Sequence, residues 1–256
     1  MMHATAIIHP GASLEAGVSV GPYAVIGDRV SIAAGTSIGP HAVIEGPTTI
    51  GRDNRIFQFA AVGAVPQDLK FHGEETFLKI GDRNTIREFV TIHRGTEDGG
   101  GETVIGDDNL FMAYSHVAHD CTIGNRVILA NCATLAGHVQ IDDHAILGGL
   151  TAVHQFTRVG ANTMISGGSM VAQDIPPYTI AQGDRAKTVG INIVGLKRRG
   201  YSEAMLRSIK TAYKLIYRSD LPLEEALGRI DRELEASPEL QLFIDFIRDS
   251  QRGIAR

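Results

Sequence analysis

Five of the ten histidines in this 256-residue chain, His116, His119, His138, His144 and His154, are concentrated between positions 116 and 154. Imidazole has an unperturbed pKa near 6.5, so at neutral pH it can serve as a general base, a hydrogen-bond donor or a metal ligand. His119, Gly137-His138 and His154-Gln155 recur at steps of about 18 residues. A base beside a free glycine amide can deprotonate a nucleophile and steady the oxyanion that forms. Asp120 follows His119 directly and is a candidate to orient its ring, although neighbours in an extended strand point to opposite faces. The spacing in His116-Val117-Ala118-His119 also suits a zinc ion, so metal binding stays open as the competing use. Taken singly, each of these histidines has a plain alternative as a surface or interface side chain.

Other chemistry has less support. Lys197-Arg198-Arg199 is either a solvated basic run or, beside a site, a phosphate contact made by the arginines. No phosphate-binding loop, dinucleotide fingerprint or serine-nucleophile elbow occurs. Cys121 and Cys132 are too few for a disulfide framework and read as reduced thiols. With 24 basic and 29 acidic side chains, a formal charge of -5, the chain is not expected to bind nucleic acid. The first residues, MMHATAIIHPGASLEAG, lack the basic and apolar regions of a signal peptide. No segment approaches the ~18 apolar residues of a membrane span. The expectation is a cytoplasmic protein without stable membrane insertion.

What must position those histidines is a six-residue repeat. Aliphatic residues recur at Ile8, Leu14, Val20 and on to Val62, resume at Ile80, Ile86 and Ile92, and run again from Ile105 and Phe111 to Val171. With 43% of residues hydrophobic, so long a series does not arise by chance. A period of six fits neither a 3.6-residue helix nor an alternating hairpin strand. It fits a parallel β-helix in which three hexapeptides make one triangular coil of 18 residues, with the periodic aliphatic pointing inward. Stacked coils lie ~4.8 Å apart, so residues 119, 137 and 155 would share one edge of the prism. None of the five histidines occupies an inward position.

The repeat accounts for residues 1–186, with loops expected at 63–79 and 93–104, and it stops near Pro176-Pro177. Residues 187–256 read as a helical domain capping the open end of the prism. Ser202 is placed to cap a helix to about Arg218, Pro222 to open a second to about Glu235, and Ser237-Pro238 a third to about Gln251.

The motifs IGRDNRIFQFAAVG, QDLKFHGE, IGDRNTIREFVTIHRGT, DNLFMAYSHVAHDCTIGN, GGLTAVHQF, VAQDIPPYTIAQG and GLKRRGYS cover nearly the whole chain. In these it resembles the UDP-N-acetylglucosamine O-acyltransferases of lipid A biosynthesis, within the hexapeptide-repeat acyltransferases. The resemblance implies a left-handed parallel β-helix with a C-terminal helical domain, acting as a homotrimer with sites between subunits. It implies transfer of a 3-hydroxyacyl chain from acyl carrier protein to the 3-hydroxyl of UDP-N-acetylglucosamine, without metal or cofactor. Carried over by position, His119 is the base, Gly137 the oxyanion donor and Asp120 the orienting partner. Gln67, Asp68, Lys70, His116, His138, His154 and Gln155 become substrate contacts, Asn192, Arg198 and Arg199 fall near the diphosphate and uridine, and Gly167 limits the acyl chain. Val194 stands where some members carry an acidic residue. A γ-carbonic-anhydrase-like zinc lyase and a non-catalytic repeat scaffold are the alternatives, and the loops and helical tail argue against the lyase.

Overall fold

The computed structural model describes all 256 residues. The first 182 residues wind into a left-handed parallel β-helix whose strands, mostly two residues long, form three faces of nine, eight and nine strands. The first face carries His116–Val117, the second Thr122–Ile123 and the third Ile128–Leu129. Stacking is in register at 18 residues through most of the prism: His116 pairs with Thr134, and Thr134 with Ala152. Ile26, Ile44, Ile86, Val117, Leu135 and Ile165, all predicted to point inward, are at most 1% exposed. Burying an aliphatic side chain contributes about 1.5–3 kcal/mol, so the column of inward residues holds the coils together.

Two coils are longer. Thr48 pairs with Leu78 and Leu78 with Thr103, steps of 30 and 25 residues. The extra chain forms loops between Ala64 and Phe77 and between His93 and Glu102. Both loops are shorter than expected from the sequence, because Phe77–Ile80 and Glu102–Ile105 already belong to the second face. Both leave the prism where the first face turns into the second. Arg94 ties their roots together by donating to the carbonyls of Gly46 and Gly63 at 2.8 and 2.7 Å.

The sheet continues past the expected boundary at residue 186: Lys187–Ile191 pairs antiparallel with Thr179–Gln182 and closes the third face. Four helices follow: α1 (Ile193–Arg198), α2 (Glu203–Tyr217), α3 (Leu223–Glu233) and α4 (Pro238–Arg248). The side chains of Ser202 and Ser237 cap α2 and α4 as predicted. Helix α1 was not anticipated, since six residues containing Gly195 carry no helical period. It is set by Asn192, which accepts from Gly195 N–H at 3.1 Å. Leu206, Ile209, Phe243 and Ile244 pack with Tyr178 into a second apolar cluster over the end of the prism. No helix is long and apolar enough to cross a membrane.

Candidate active site

His119 and Asp120 lie at the corner between the first and second faces, on the edge from which both loops emerge. Adjacent residues of an extended strand would diverge, but Asp120 has φ 60°, and this left-handed corner brings the two side chains together. His119 Nδ1 lies 2.7 Å from Asp120 Oδ2. A carboxylate only accepts, so Nδ1 carries the proton and Nε2 presents a lone pair. The Asp120 side chain is fully buried and also accepts from Thr96 N–H at 2.7 Å and Thr96 Oγ1 at 2.6 Å. Burial works against its charge, yet the hydrogen bonds from His119 and Thr96 outweigh that and hold its pKa below the ordinary carboxylate value. The second loop therefore supplies a clamp that the sequence did not reveal: Thr96, with Gly99 giving it room. A Cβ at Gly99 would lie 2.0 Å from Asp120 Cγ.

One coil on, Gly137 sits over the His119 ring, and its N–H makes no hydrogen bond within the chain. A Cβ there would stand 2.5 Å from His119 Cε1. Glycine is thus required to admit the ring, and its buried amide is left without a partner in the chain. His138, also at positive φ, meets His119 edge-on at 5.2 Å and stacks on Phe156 at 4.3 Å. His116 Nδ1 lies 2.7 Å from Thr91 Oγ1. Burial holds both His116 and His138 below the usual imidazole pKa, so each stays neutral at pH 7.

A further histidine extends the strip. His93 is 4% exposed and edge-on to His116 at 5.0 Å, and burial drives its pKa down to about 4. The longer coil after it broke the 18-residue count, so spacing alone did not align it with His116. Asp68 and Lys70 of the first loop face Thr96, Glu97 and Asp98 of the second across a polar cleft of about 570 Å³. Gln67 is exposed on the same loop. His154 Nδ1 lies 3.2 Å from Arg252 Nη2 near the end of the chain, and Gln155 stacks one coil beyond Gly137.

Other predicted contacts lie elsewhere on the same chain. Asn192 donates to Asn162 O at 2.9 Å and Arg199 to His144 O at 3.2 Å, which puts them at the corner between the second and third faces, with Arg198 exposed beside them. Gly167 lies at the remaining corner, between the third and first faces. The residue there at positive φ is Gly168, at 71°, so Gly167 is not a glycine for its backbone angles. A Cβ at Gly167 would meet only the Gly149 backbone, its O at 3.1 Å and its N at 3.6 Å.

The donor atoms of His119, Asp120 and His138 lie within 4.8 Å of one another, the sort of group that can hold an ion. Asp120 does not suit that use, because Thr96 and His119 already occupy both of its oxygens. Cys121 is buried and its thiol is pushed up to about 12 by that burial, so it is no nucleophile.

Comparison with known proteins agrees with the fold. Residues 102–137 match the bacterial transferase hexapeptide model and residues 174–255 the second domain of UDP-N-acetylglucosamine O-acyltransferase. The chain is 56% identical to the acyl-[acyl-carrier-protein]–UDP-N-acetylglucosamine O-acyltransferase of Herminiimonas arsenicoxydans, over 100% of this chain and 99% of that one. Among solved structures, LpxA from Acinetobacter baumannii superposes with a TM-score of 0.97 at 47% identity, covering 100% of this chain and 99% of that one. LpxA from Bacteroides fragilis, a UDP-N-acetylglucosamine acyltransferase, does so with 0.97 at 44%, covering both chains fully.

Proposed function

The chain belongs to the UDP-N-acetylglucosamine O-acyltransferase family, and from that premise we propose how its own residues carry the transfer. The reaction moves a 3-hydroxyacyl chain from acyl carrier protein to the 3-hydroxyl of UDP-N-acetylglucosamine, the first step of lipid A biosynthesis. His119 Nε2 takes the proton of the sugar hydroxyl while the oxygen attacks the thioester carbon. Gly137 N–H receives the oxyanion. As the C–S bond breaks, the imidazolium returns its proton to the leaving sulfur, so the acyl group never bonds to the protein. Asp120 acts through His119 as a positioning residue, holding the tautomer and stabilising the imidazolium. The observation that carries this reading is the His119–Asp120 hydrogen bond beside an unused glycine amide.

The sugar nucleotide would lie against Asp68, Lys70, His116 and His138, and its diphosphate and uridine against Asn192, Arg198 and Arg199. In one chain these groups occupy different corners of a prism whose sides are up to about 20 Å of near-extended chain. They converge only if corners of two subunits meet, which supports a homotrimer. An unpartnered apolar ridge agrees with self-association: Tyr23, His41, Phe59, Phe89 and Tyr114 stack along the third corner at 4.8–5.3 Å, with Tyr23 and Tyr114 each 58% exposed. Both substrates are water-borne, in keeping with the cytoplasm.

The test is incubation of the purified chain and of His119→Ala with UDP-N-acetylglucosamine and a panel of 3-hydroxyacyl carrier proteins, followed by mass analysis. General-base catalysis contributes roughly 10²–10⁴, so the variant should keep its fold and lose at least about 99% of the rate. Retention of more than about a tenth would remove His119 from the role.

A further inference from the structure

Far from the histidine strip, the strand Lys187–Ile191 and the end of α2 enclose a cleft of about 420 Å³ lined by Lys187, Thr188, Tyr217, Arg218, Ser219 and Arg256, among others. Three of its side chains are cations and none is an acid. None of the three side chains forms an ion pair with an Asp or Glu, although the protein carries a net charge of -5. Two are held in place by the main chain: Arg218 Nη2 donates to Val189 O at 3.4 Å and Arg256 Nη2 to Ile216 O. Arg218 is further set over the Tyr213 ring at 6.0 Å. Of the lining residues, Thr188 and Tyr217 have buried hydroxyls with no partner beyond each other.

Three cations that face no Asp or Glu side chain repel one another. One dianion relieves that repulsion. We propose that this cleft is an anion site of the capping domain that takes a phosphate-bearing small molecule, distinct from the acyl-transfer site. Guanidinium forks match phosphate oxygens in pairs, and Lys187 adds a point charge. A single carboxylate would leave two of the three charges unmatched. The volume falls in the range usual for small-molecule sites, about 300–1,000 Å³. Neither the reaction nor its proposed residues are used here, so the site stands or falls apart from them.

The probe is inorganic pyrophosphate, titrated calorimetrically into the full chain. Arg198→Gln removes a candidate diphosphate contact of the substrate site, and Lys187→Gln/Arg218→Gln removes two exposed cations of the cleft. Saturable binding at one site per chain should persist in Arg198→Gln and weaken about tenfold or more in the double variant, as expected on losing two charge-assisted contacts. Lys187→Gln alone should show a smaller loss in the same direction. Binding lost in Arg198→Gln but intact in the double variant would assign the anion to the substrate site and overturn the proposal. So would absence of saturable binding, or a double variant whose only defect is a raised KM for acyl carrier protein, which would make the cleft a docking face for an acidic protein.

Discussion

A hydrogen bond 2.7 Å long decides what His119 can do. With Nδ1–H given to Asp120, the remaining nitrogen is a base and no tautomer needs to be selected during the reaction. Gly137 is tied to the same arrangement by space, because a methyl there would overlap the ring. Gly137→Ala is therefore expected to displace His119 and disturb the amide together, lowering kcat by about 10² or more, the size seen when one oxyanion donor is removed. Circular dichroism should keep its β-helix signature, since the corner is not left-handed at 137, while the displaced ring lowers the thermal midpoint. An active Gly137→Ala chain would show that neither the ring position nor the amide matters. The pairing of His119 with Asp120 was only half legible beforehand. Chain proximity suggested it, strand alternation argued against it, and the deciding quantity was the φ of Asp120, which spacing does not encode.

Along the coils, the imidazoles His93, His116 and His138 are kept neutral chiefly by burial. For His93 the folded pKa is about 4, against about 6.5 unfolded. Above pH 6.5 the group is neutral in both states and its contribution is complete. As the pH falls from about 6.5 towards 4 the unfolded chain takes up a proton that the native chain refuses, so stability declines by at most roughly 3 kcal/mol and then levels off. Denaturant midpoints measured across that window should fall with acid, and the slope should flatten in His93→Gln; equal slopes would exclude His93 as the source. At the opposite corner, Gly167 is not at positive φ and has open space beyond the Gly149 backbone. Each buried methylene is worth roughly 0.8 kcal/mol, so Gly167→Met should shift donor preference towards shorter 3-hydroxyacyl chains by more than about tenfold while the fold stays intact. An unchanged donor profile would place the ruler elsewhere. The inward aliphatics and the caps at Ser202 and Ser237 were legible because each is a local pattern. The loop ends were not, since Phe77–Ile80 rejoins the sheet without a clean repeat.

At the scale of the molecule, the prism spreads its candidate substrate groups over separate corners: the base and both loops on one, Arg198 and Arg199 on the next, Gly167 on the third. The 18-residue step made His119, Gly137 and Gln155 neighbours on paper. No count within one chain could bring in Arg198, which in the proposed arrangement comes from a second copy. The central claim is thus that each active site joins the His119 corner of one subunit to the Arg198 corner of another. It is tested by co-refolding two inactive chains, His119→Ala and Arg198→Ala, in equal amounts and assaying acyl transfer. If the site is shared, random assortment leaves both intact corners facing each other at about a quarter of the interfaces, and about a quarter of the wild-type rate should return. If both corners of a site come from the same chain, every site in the mixture is defective, and a rate no higher than that of either variant alone would contradict the account.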